Sequence, residues 1–169
     1  MYQLILRGAR LEDDFLDVGV ESGRVGRIAA RIEERAEREI EAGGRLVSPP
    51  FIESHVHLDT TLTAGEPRWN ESGTLFEGIR IWSERKQSLT RDDVLARAAQ
   101  LLRWQVAQGV LHVRTHADVT DPEFTGLMAL LEVKEKVREW MDVQIVAFPQ
   151  EGMMSFPGVC TLSAQLFLG

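Results

Sequence analysis

The chain has 169 residues, of which 44% are hydrophobic and 27% charged, a composition typical of a globular protein rather than a disordered or fibrous one. Its formal net charge of -7 argues against a nucleic acid or an anionic membrane as partner, because both require a basic surface, and favours a neutral small molecule. A single cysteine, Cys160, excludes an intramolecular disulfide and predicts a cytoplasmic protein.

The start of the chain is rich in short apolar and β-branched runs. Tyr2–Leu6, Leu16–Val20 and Val25–Ile28 predict a small β-meander. The acidic stretch Glu12–Asp14 follows the first run, a pattern that is not typical of a signal peptide or a membrane span. The next segment, Ala29–Ala42, is rich in Glu, Arg and Ala, and it predicts either a helix or a solvated connection; the sequence leaves both open.

A pair of prolines precedes the next strand. Pro49 and Pro50 exclude a central position in a sheet, and the strand-like segment Phe51–His57 follows them. A long loop comes after this strand and carries Trp69. Long loops commonly form lids over binding sites, so Trp69 is expected either in a lid or in an interface.

A helix and a strand are predicted next. Thr90 and Asp93 have the spacing of an N-cap pair for a helix over Asp92–Gln108, and Gly109 is placed to end that helix. The strand Val110–Thr115 follows directly.

The same alternation repeats once more. Pro122 at a first helical position predicts a helix over Glu123–Trp140, and Val143–Phe148 reads as another strand. Strands that alternate with helices indicate a parallel sheet with right-handed crossovers. The pattern alone leaves a doubly wound sheet and a (β/α) barrel as alternatives.

The triplet His55-Val56-His57 carries the strongest chemical signal. Alternate residues of a strand share a face, so the two imidazoles are expected about 7 Å apart at Cα, where they can bind one divalent cation. An isolated triplet of this kind is more often a half-exposed strand edge. Here it ends a strand that opens a βαβ series, and ligand sites gather at the carboxyl ends of such strands.

Five segments within Leu46–Phe156 resemble the cytosine deaminase branch of the metal-dependent amidohydrolase superfamily in order and spacing. They are Pro49–Phe51, His55–Thr61, Gly73–Gly78, His112–His116 and Val146–Gly152. The resemblance implies an α/β fold, a truncated (β/α)8 TIM-type barrel preceded by the N-terminal part of a small β-sandwich. The expected divisions are residues 1–47 for the sandwich part, 48–157 for the first part of the barrel and 158–169 for a divergent tail.

The resemblance also implies a hydrolase of pyrimidine salvage that converts cytosine and water to uracil and ammonia. It implies one divalent metal ion, Fe or Zn, with His55 and His57 as ligands. Gln150 matches the glutamine that reads the pyrimidine edge, and an amide offers both a donor and an acceptor for that purpose. Leu75 matches a position that contacts the base through its backbone. The expected partner is a pyrimidine-like small molecule. Whether the full-length enzyme is a homo-oligomer is left open by the resemblance.

Two further histidines lie four residues apart. On a strand, His112, Arg114 and His116 share one face. We expect His112 and His116 to hydrogen-bond neighbouring loops rather than to bind a metal, because the resembling family does not place its metal there.

The resemblance stops after Phe156, before the proton-shuttling glutamate and the remaining metal ligands of that family. We therefore interpret the chain as a truncated N-terminal part that is catalytically incomplete and inactive alone. Two alternatives stay open. One is an amidohydrolase for another cyclic amine or amide, such as a triazine, creatinine or isoguanine, although Gln150 weighs against it. The other is a non-catalytic remnant in which His55 and His57 are structural.

Overall fold

The computed structural model describes residues 1–152, which fall into two compact units, Met1–Pro49 and Pro50 onward. The expected divergent tail, residues 158–169, and Cys160 lie outside the described residues. Within the described part of the chain, no helix is long and apolar enough to cross a membrane.

The first unit is a four-stranded sheet with the strand order β3-β2-β1-β4. Its strands are β1 (Tyr2–Leu11), β2 (Asp14–Glu21), β3 (Arg24–Ala29) and β4 (Ala36–Glu41). The antiparallel pairing of β1 with β2 and of β2 with β3 confirms the predicted meander. The core of this unit includes Ile5 and Ile32, both almost fully buried.

Strand β4 corrects the expectation for Ala29–Ala42, which was either a helix or a connection. Part of that segment pairs in parallel with β1, and Leu4 lies opposite Arg38. The free edge of β1 offers ladder hydrogen bonds, and these override the helix-favouring composition of the segment. Tertiary pairing of this kind leaves little trace in local sequence.

The second unit alternates strands and helices around a three-stranded parallel sheet with the order β5-β6-β7. Its elements are β5 (Phe51–Val56), α1 (Leu75–Lys86), α2 (Arg91–Ala107), β6 (Val110–Asp118), α3 (Thr125–Val137) and β7 (Asp142–Phe148). Parallel strands joined through helices agree with the predicted alternation. The described residues provide three such strands, and a closed barrel is not part of what they show.

Helices α2 and α3 bury their apolar faces against the sheet. The innermost side chains of this core are Val94, Ala98, Leu102, Val113, Leu130, Val133 and Val143. Each large aliphatic side chain buried in this way contributes roughly 1.5–3 kcal/mol. The core fixes the three strands, so their carboxyl ends lie side by side at one edge of the sheet.

The ends of α2 agree with the predicted signals. The Thr90 hydroxyl accepts a hydrogen bond from the Asp93 amide at 3.3 Å, as an N-cap does. Gly109 follows the helix with φ +85°, a conformation that favours glycine. Both ends of the helix lie one residue from the predicted bounds.

The predicted start of α3 is wrong. Pro122 does not occupy the first helical position; the helix begins at Thr125 after Phe124, whose φ is +51°. The reason is the Asp121 carboxylate, which accepts hydrogen bonds from the amides of Glu123 at 3.1 Å and Thr125 at 2.9 Å. An aspartate that satisfies these amides favours a turn over an earlier helical start.

Candidate metal centre and substrate cavity

The two predicted metal ligands approach each other where β5 ends. His55 lies in the strand and is exposed, whereas His57 directly follows the strand and is half-buried. Their ring centroids are 5.3 Å apart, with the planes tilted by 60°. Imidazole nitrogens are the commonest side-chain ligands of zinc and suit iron as well.

A third histidine joins this pair. The ring of His116 on β6 stacks on that of His55 at 4.0 Å, and its centroid lies 5.7 Å from that of His57. Phe148 presents its ring edge-on to both His57 and His116, at 5.2 and 5.8 Å. The sequence-based expectation for His116, a polar residue bonded to a neighbouring loop, did not foresee this contact. His112 instead lies beside Asp142, at 3.6 Å.

The surroundings of His57 and His116 favour the neutral forms of these two imidazoles. Burial lowers the pKa of His57, and nearby His55 and His116 lower it further. Burial, followed by the charge of His55, likewise lowers the pKa of His116. Neutral imidazole is the form that binds a metal, so the environment matches a ligand role for the cluster.

The fit of a metal ion to these residues is partial. No group of three or more His, Cys, Asp or Glu side chains placed to hold a metal occurs among residues 1–152. His55 and His57 offer two nitrogen donors, and the buried Nδ1 of His116 has no hydrogen-bond partner within the described residues. The donor chemistry therefore suits a divalent transition metal, and a full set of four would need further ligands.

The segment that follows His57 is fastened to β6 and α2. The Leu58 amide donates to the Thr115 hydroxyl at 3.0 Å, and the Asp118 amide donates to Asp59 Oδ2 at 2.7 Å. Asp59 is 1% exposed, and this burial raises its pKa to about 6. From α2, Arg97 Nη1 donates to the Asp59 and Thr61 carbonyls at 2.9 and 2.6 Å. These bonds hold the backbone next to the histidines.

A cavity of about 420 Å³ opens beside His57. The two predicted substrate residues, Leu75 and Gln150, both line it. Trp69, the residue expected in a lid or an interface, also lines it and is 68% exposed. The cavity therefore brings together His57, Leu75 and Gln150, which are up to 93 positions apart in the sequence.

Part of the cavity wall is formed by α1, a helix that the sequence interpretation missed. Gly78, Ile79, Ile81 and Trp82 of α1 line the cavity. A signal for this helix exists in the sequence: Thr74 and Glu77 have the spacing of a capping box, and the Thr74 hydroxyl accepts from the Glu77 amide.

A buried polar network joins α1 to the ends of β6 and β7, and sequence reasoning also missed it. We call it the Lys86 network; its members are Trp82, Lys86, Asp118, Thr120 and Glu151. Lys86 Nζ donates to Asp118 Oδ2 at 3.0 Å, to Thr120 Oγ1 at 2.8 Å and to Glu151 Oε1 at 2.7 Å. Trp82 Nε1 donates to Asp118 Oδ2 at 2.9 Å. The spacing of Trp82 and Lys86, one helical turn, is the only local signal for it.

Comparison with known proteins gives consistent matches. The family model described as "Amidohydrolase family" matches residues 38–165. N-isopropylammelide isopropyl amidohydrolase of Pseudomonas sp. (strain ADP) is 34% identical over 158 residues, which cover 89% of this chain and 39% of that protein.

Two solved structures are similar over nearly the whole chain. The 5-methylcytosine deaminase from Klebsiella pneumoniae liganded with 5-fluorocytosine has 46% identity and a TM-score of 0.89, covering 96% of this chain and 40% of the other. The N-isopropylammelide isopropylaminohydrolase from Burkholderia multivorans has 31% identity and a TM-score of 0.81, covering 99% and 43%. The chain thus spans about two fifths of the length of these relatives.

Proposed function

The chain belongs to the amidohydrolase family, and from that premise we propose that it carries the first metal ligands and part of the substrate cavity of a hydrolase that deaminates cytosine-like heterocycles. The reaction converts cytosine and water to uracil and ammonia. The observation that carries the proposal is the cavity in which His57, Leu75 and Gln150 meet. Its volume of about 420 Å³ lies in the range of small-molecule sites.

The roles of the histidines follow from their position. His55 and His57 would hold one divalent ion, Fe or Zn, at the carboxyl end of β5. When bound, such an ion supplies Lewis acidity for hydrolysis. Stacking of His116 on His55 and the edge contact of Phe148 with His57 orient both rings, and burial of His57 lowers the pKa of its imidazole.

Substrate recognition falls to Gln150 and Leu75. The Gln150 amide can donate to one atom of a pyrimidine edge and accept from the next, as a ring with adjacent donor and acceptor groups requires. Leu75 is the first residue of α1, and the first amides of a helix have no acceptor within it. Its backbone can therefore bond a ligand whatever side chain is present, which fits a residue whose side chain is 73% exposed.

A second candidate substrate class has support from the comparisons. Two relatives named for N-isopropylammelide are 34% and 31% identical to the chain. Hydrolysis of a substituted triazine would use the same histidines and the same cavity. The identity of 46% to a 5-methylcytosine deaminase favours the pyrimidine.

The test places the chain in a complete barrel. In a chimera, the chain replaces the matching segment of the Klebsiella pneumoniae 5-methylcytosine deaminase, and the host supplies the remaining three fifths. Cytosine, 5-methylcytosine and N-isopropylammelide are offered in turn with Zn or Fe, and the released amine is measured. We expect ammonia from the pyrimidines. A folded, metal-loaded chimera that releases no ammonia from them would contradict the proposal, and turnover of N-isopropylammelide alone would establish the second candidate.

Variants of the chimera test the recognition role. Gln150→Ala is expected to weaken transition-state stabilisation by about 1–3 kcal/mol, measured as kcat/KM, because the pyrimidine edge loses its partner. Gln108→Ala, at an exposed glutamine that directly follows α2 and lies outside the cavity lining, is the matched control. Equal kcat/KM values for the two variants would remove Gln150 from the substrate site.

A further inference from the structure

The residue next to Gln150 is tied to α1. The Gly152 amide donates to the Pro149 carbonyl at 2.9 Å, so Gln150 and Glu151 are the central residues of a turn after β7. Gln150 lines the cavity, whereas the Glu151 carboxylate accepts hydrogen bonds from Lys86 and from the Ser83 hydroxyl. One turn thus presents a side chain to the cavity and another to α1, the helix that forms part of the cavity wall.

We propose that Lys86 is a positioning residue: by holding Glu151, it fixes the turn after β7 and thereby places the Gln150 amide for substrate recognition. This inference rests on the proposed function of Gln150. Lys86 does not line the cavity; it acts through Glu151.

The geometry of Lys86 suits this role. An ammonium group has three hydrogens, and here they reach three acceptors on two segments: Asp118 and Thr120 at the end of β6, and Glu151 in the turn after β7. The side chains of Lys86, Asp118 and Glu151 are 10%, 3% and 12% exposed. Ion pairs with so little exposure resist screening and hold a fixed geometry better than surface pairs.

Charge states in the network support the same view. Burial alone would lower the pKa of Lys86, but hydrogen bonds to Glu151 and Asp118 raise it above its ordinary value. Burial alone would raise the pKa of Asp118, but bonds from Thr120, Trp82 and Lys86 lower it. Both groups are therefore charged at neutral pH.

The bond to Glu151 can be separated from the rest of the network. Asp118 keeps the Trp82 indole and the amide and hydroxyl of Thr120 as donors when Lys86 is removed. Removal of the ammonium therefore leaves Asp118 with hydrogen-bond donors, whereas Glu151 loses the charged donor that ties the turn to α1. The turn contributes a cavity residue, and a substrate site needs such residues held within a fraction of an ångström.

The first experiment measures the order of the turn in the full chain, without any substrate. Lys86→Met and Glu151→Gln are compared with Lys134→Met, at an exposed lysine of α3, by hydrogen exchange of the Gly152 amide. Both network variants are expected to exchange about tenfold faster, while core amides of β6 keep their protection. Lys86→Arg is expected to restore slow exchange in part. Glu151→Gln keeps an oxygen that can accept from the Ser83 hydroxyl and removes only the charge that pairs with Lys86, so it disturbs the fold less than Lys86→Met and serves as the second variant. Unchanged exchange in both would overturn the inference.

The second experiment places the same variants in the deaminase chimera. A loosened turn is expected to raise KM for cytosine about fivefold or more, with a smaller effect on kcat, because recognition rather than chemistry is weakened. The Gln150→Ala variant distinguishes failure of the positioning role of Lys86 from failure of the recognition role of Gln150. If Gln150→Ala raises KM and the Lys86 variants do not, the positioning role is overturned. If Gln150→Ala also leaves kcat/KM unchanged, the proposed role of Gln150 has failed instead.

Discussion

At the scale of single residues, the candidate metal centre depends on ring contacts that join two strands. His55 lies in β5, His57 directly follows that strand, and His116 lies in β6, where its ring stacks on His55 at 4.0 Å. Stacking limits the rotamers open to His55 before any ion binds. A pre-oriented ligand pair costs less entropy on metal binding than two freely rotating side chains.

Substitution of the histidine pair should remove metal uptake. We expect the double variant His55→Ala, His57→Ala to show no Zn binding by calorimetry. Substitution of groups that only hydrogen-bond to metal ligands already lowers metal affinity by about 10–100-fold, and loss of the ligands themselves should cost more. The control is His112→Ala, on an imidazole that is 48% exposed beside Asp142. Equal affinity in the double variant and the control would place the metal elsewhere.

At the scale of elements, α1 and the loop before it stabilise each other through Glu77. Glu77 is the third residue of α1, and its carboxylate accepts hydrogen bonds from the Ser72 hydroxyl and amide and from Arg68. Arg68 also donates to Glu84, which lies about two helical turns after Glu77. Loop residues that form part of the cavity wall are thereby attached to the helix that forms another part of it.

This attachment should depend on pH. Hydrogen bonds from Ser72, and then Arg68, lower the pKa of Glu77 from its ordinary 4.5 to about 2. A carboxylate with a lowered pKa contributes stability above its unfolded pKa, and this contribution is lost as the pH falls from about 4.5 through about 2. We expect Glu77→Gln to lower Tm at pH 7, and its difference from the unaltered chain to shrink across that window.

Thermal melts at several pH values, monitored by circular dichroism at low protein concentration, measure the Tm difference between Glu77→Gln and the unaltered chain. Glu123→Gln, at an exposed glutamate before α3, serves as the control and should show no such pH-dependent difference. A difference between Glu77→Gln and the unaltered chain that stays constant from pH 7 to pH 2 would disprove the role of the Glu77 carboxylate.

At the scale of the whole molecule, the parallel sheet has two outer strands. Within residues 1–152, β5 and β7 each pair on one side only, with β6 between them. Phe51 and Ile52 of β5 are 63% and 71% exposed. Unpaired backbone groups next to exposed apolar side chains favour pairing with another chain. Helices α2 and α3 cover one face of this sheet.

We therefore expect the chain alone to self-associate and to release no ammonia from cytosine with Zn or Fe present. Light scattering after size exclusion measures the mass. Ile52→Lys should reduce association, because a charge on an edge strand opposes pairing, whereas Val25→Lys, at an exposed position of β3, should not. A monodisperse monomer that melts cooperatively and turns over cytosine would refute this expectation.

Local rules explain what could be predicted from the sequence. Alternation along a strand placed His55 and His57 together, and capping chemistry at Thr90 and Gly109 placed α2 within one residue of its bounds. These features depend on neighbours a few positions away. The same kind of signal at Thr74 and Glu77 was available for α1, and its omission was an error of interpretation rather than a lack of information.

Other features depend on residues that are distant in sequence. β4 forms because β1 offers a free edge to pair with. Local propensity does not predict this strand, since the residues with which β4 pairs lie more than 30 positions away in the sequence.

The sequence by itself determined the alternating α/β order, the histidine pair and, through the five matching segments, the candidate substrate residues. Only the tertiary structure brought His116 to His55, and only it joined Lys86 to Glu151, which is 65 residues further along. The reason is that a parallel sheet aligns the carboxyl ends of strands from separate segments. Contacts between those ends depend on strand order and register, and neither is encoded in any short stretch of chain.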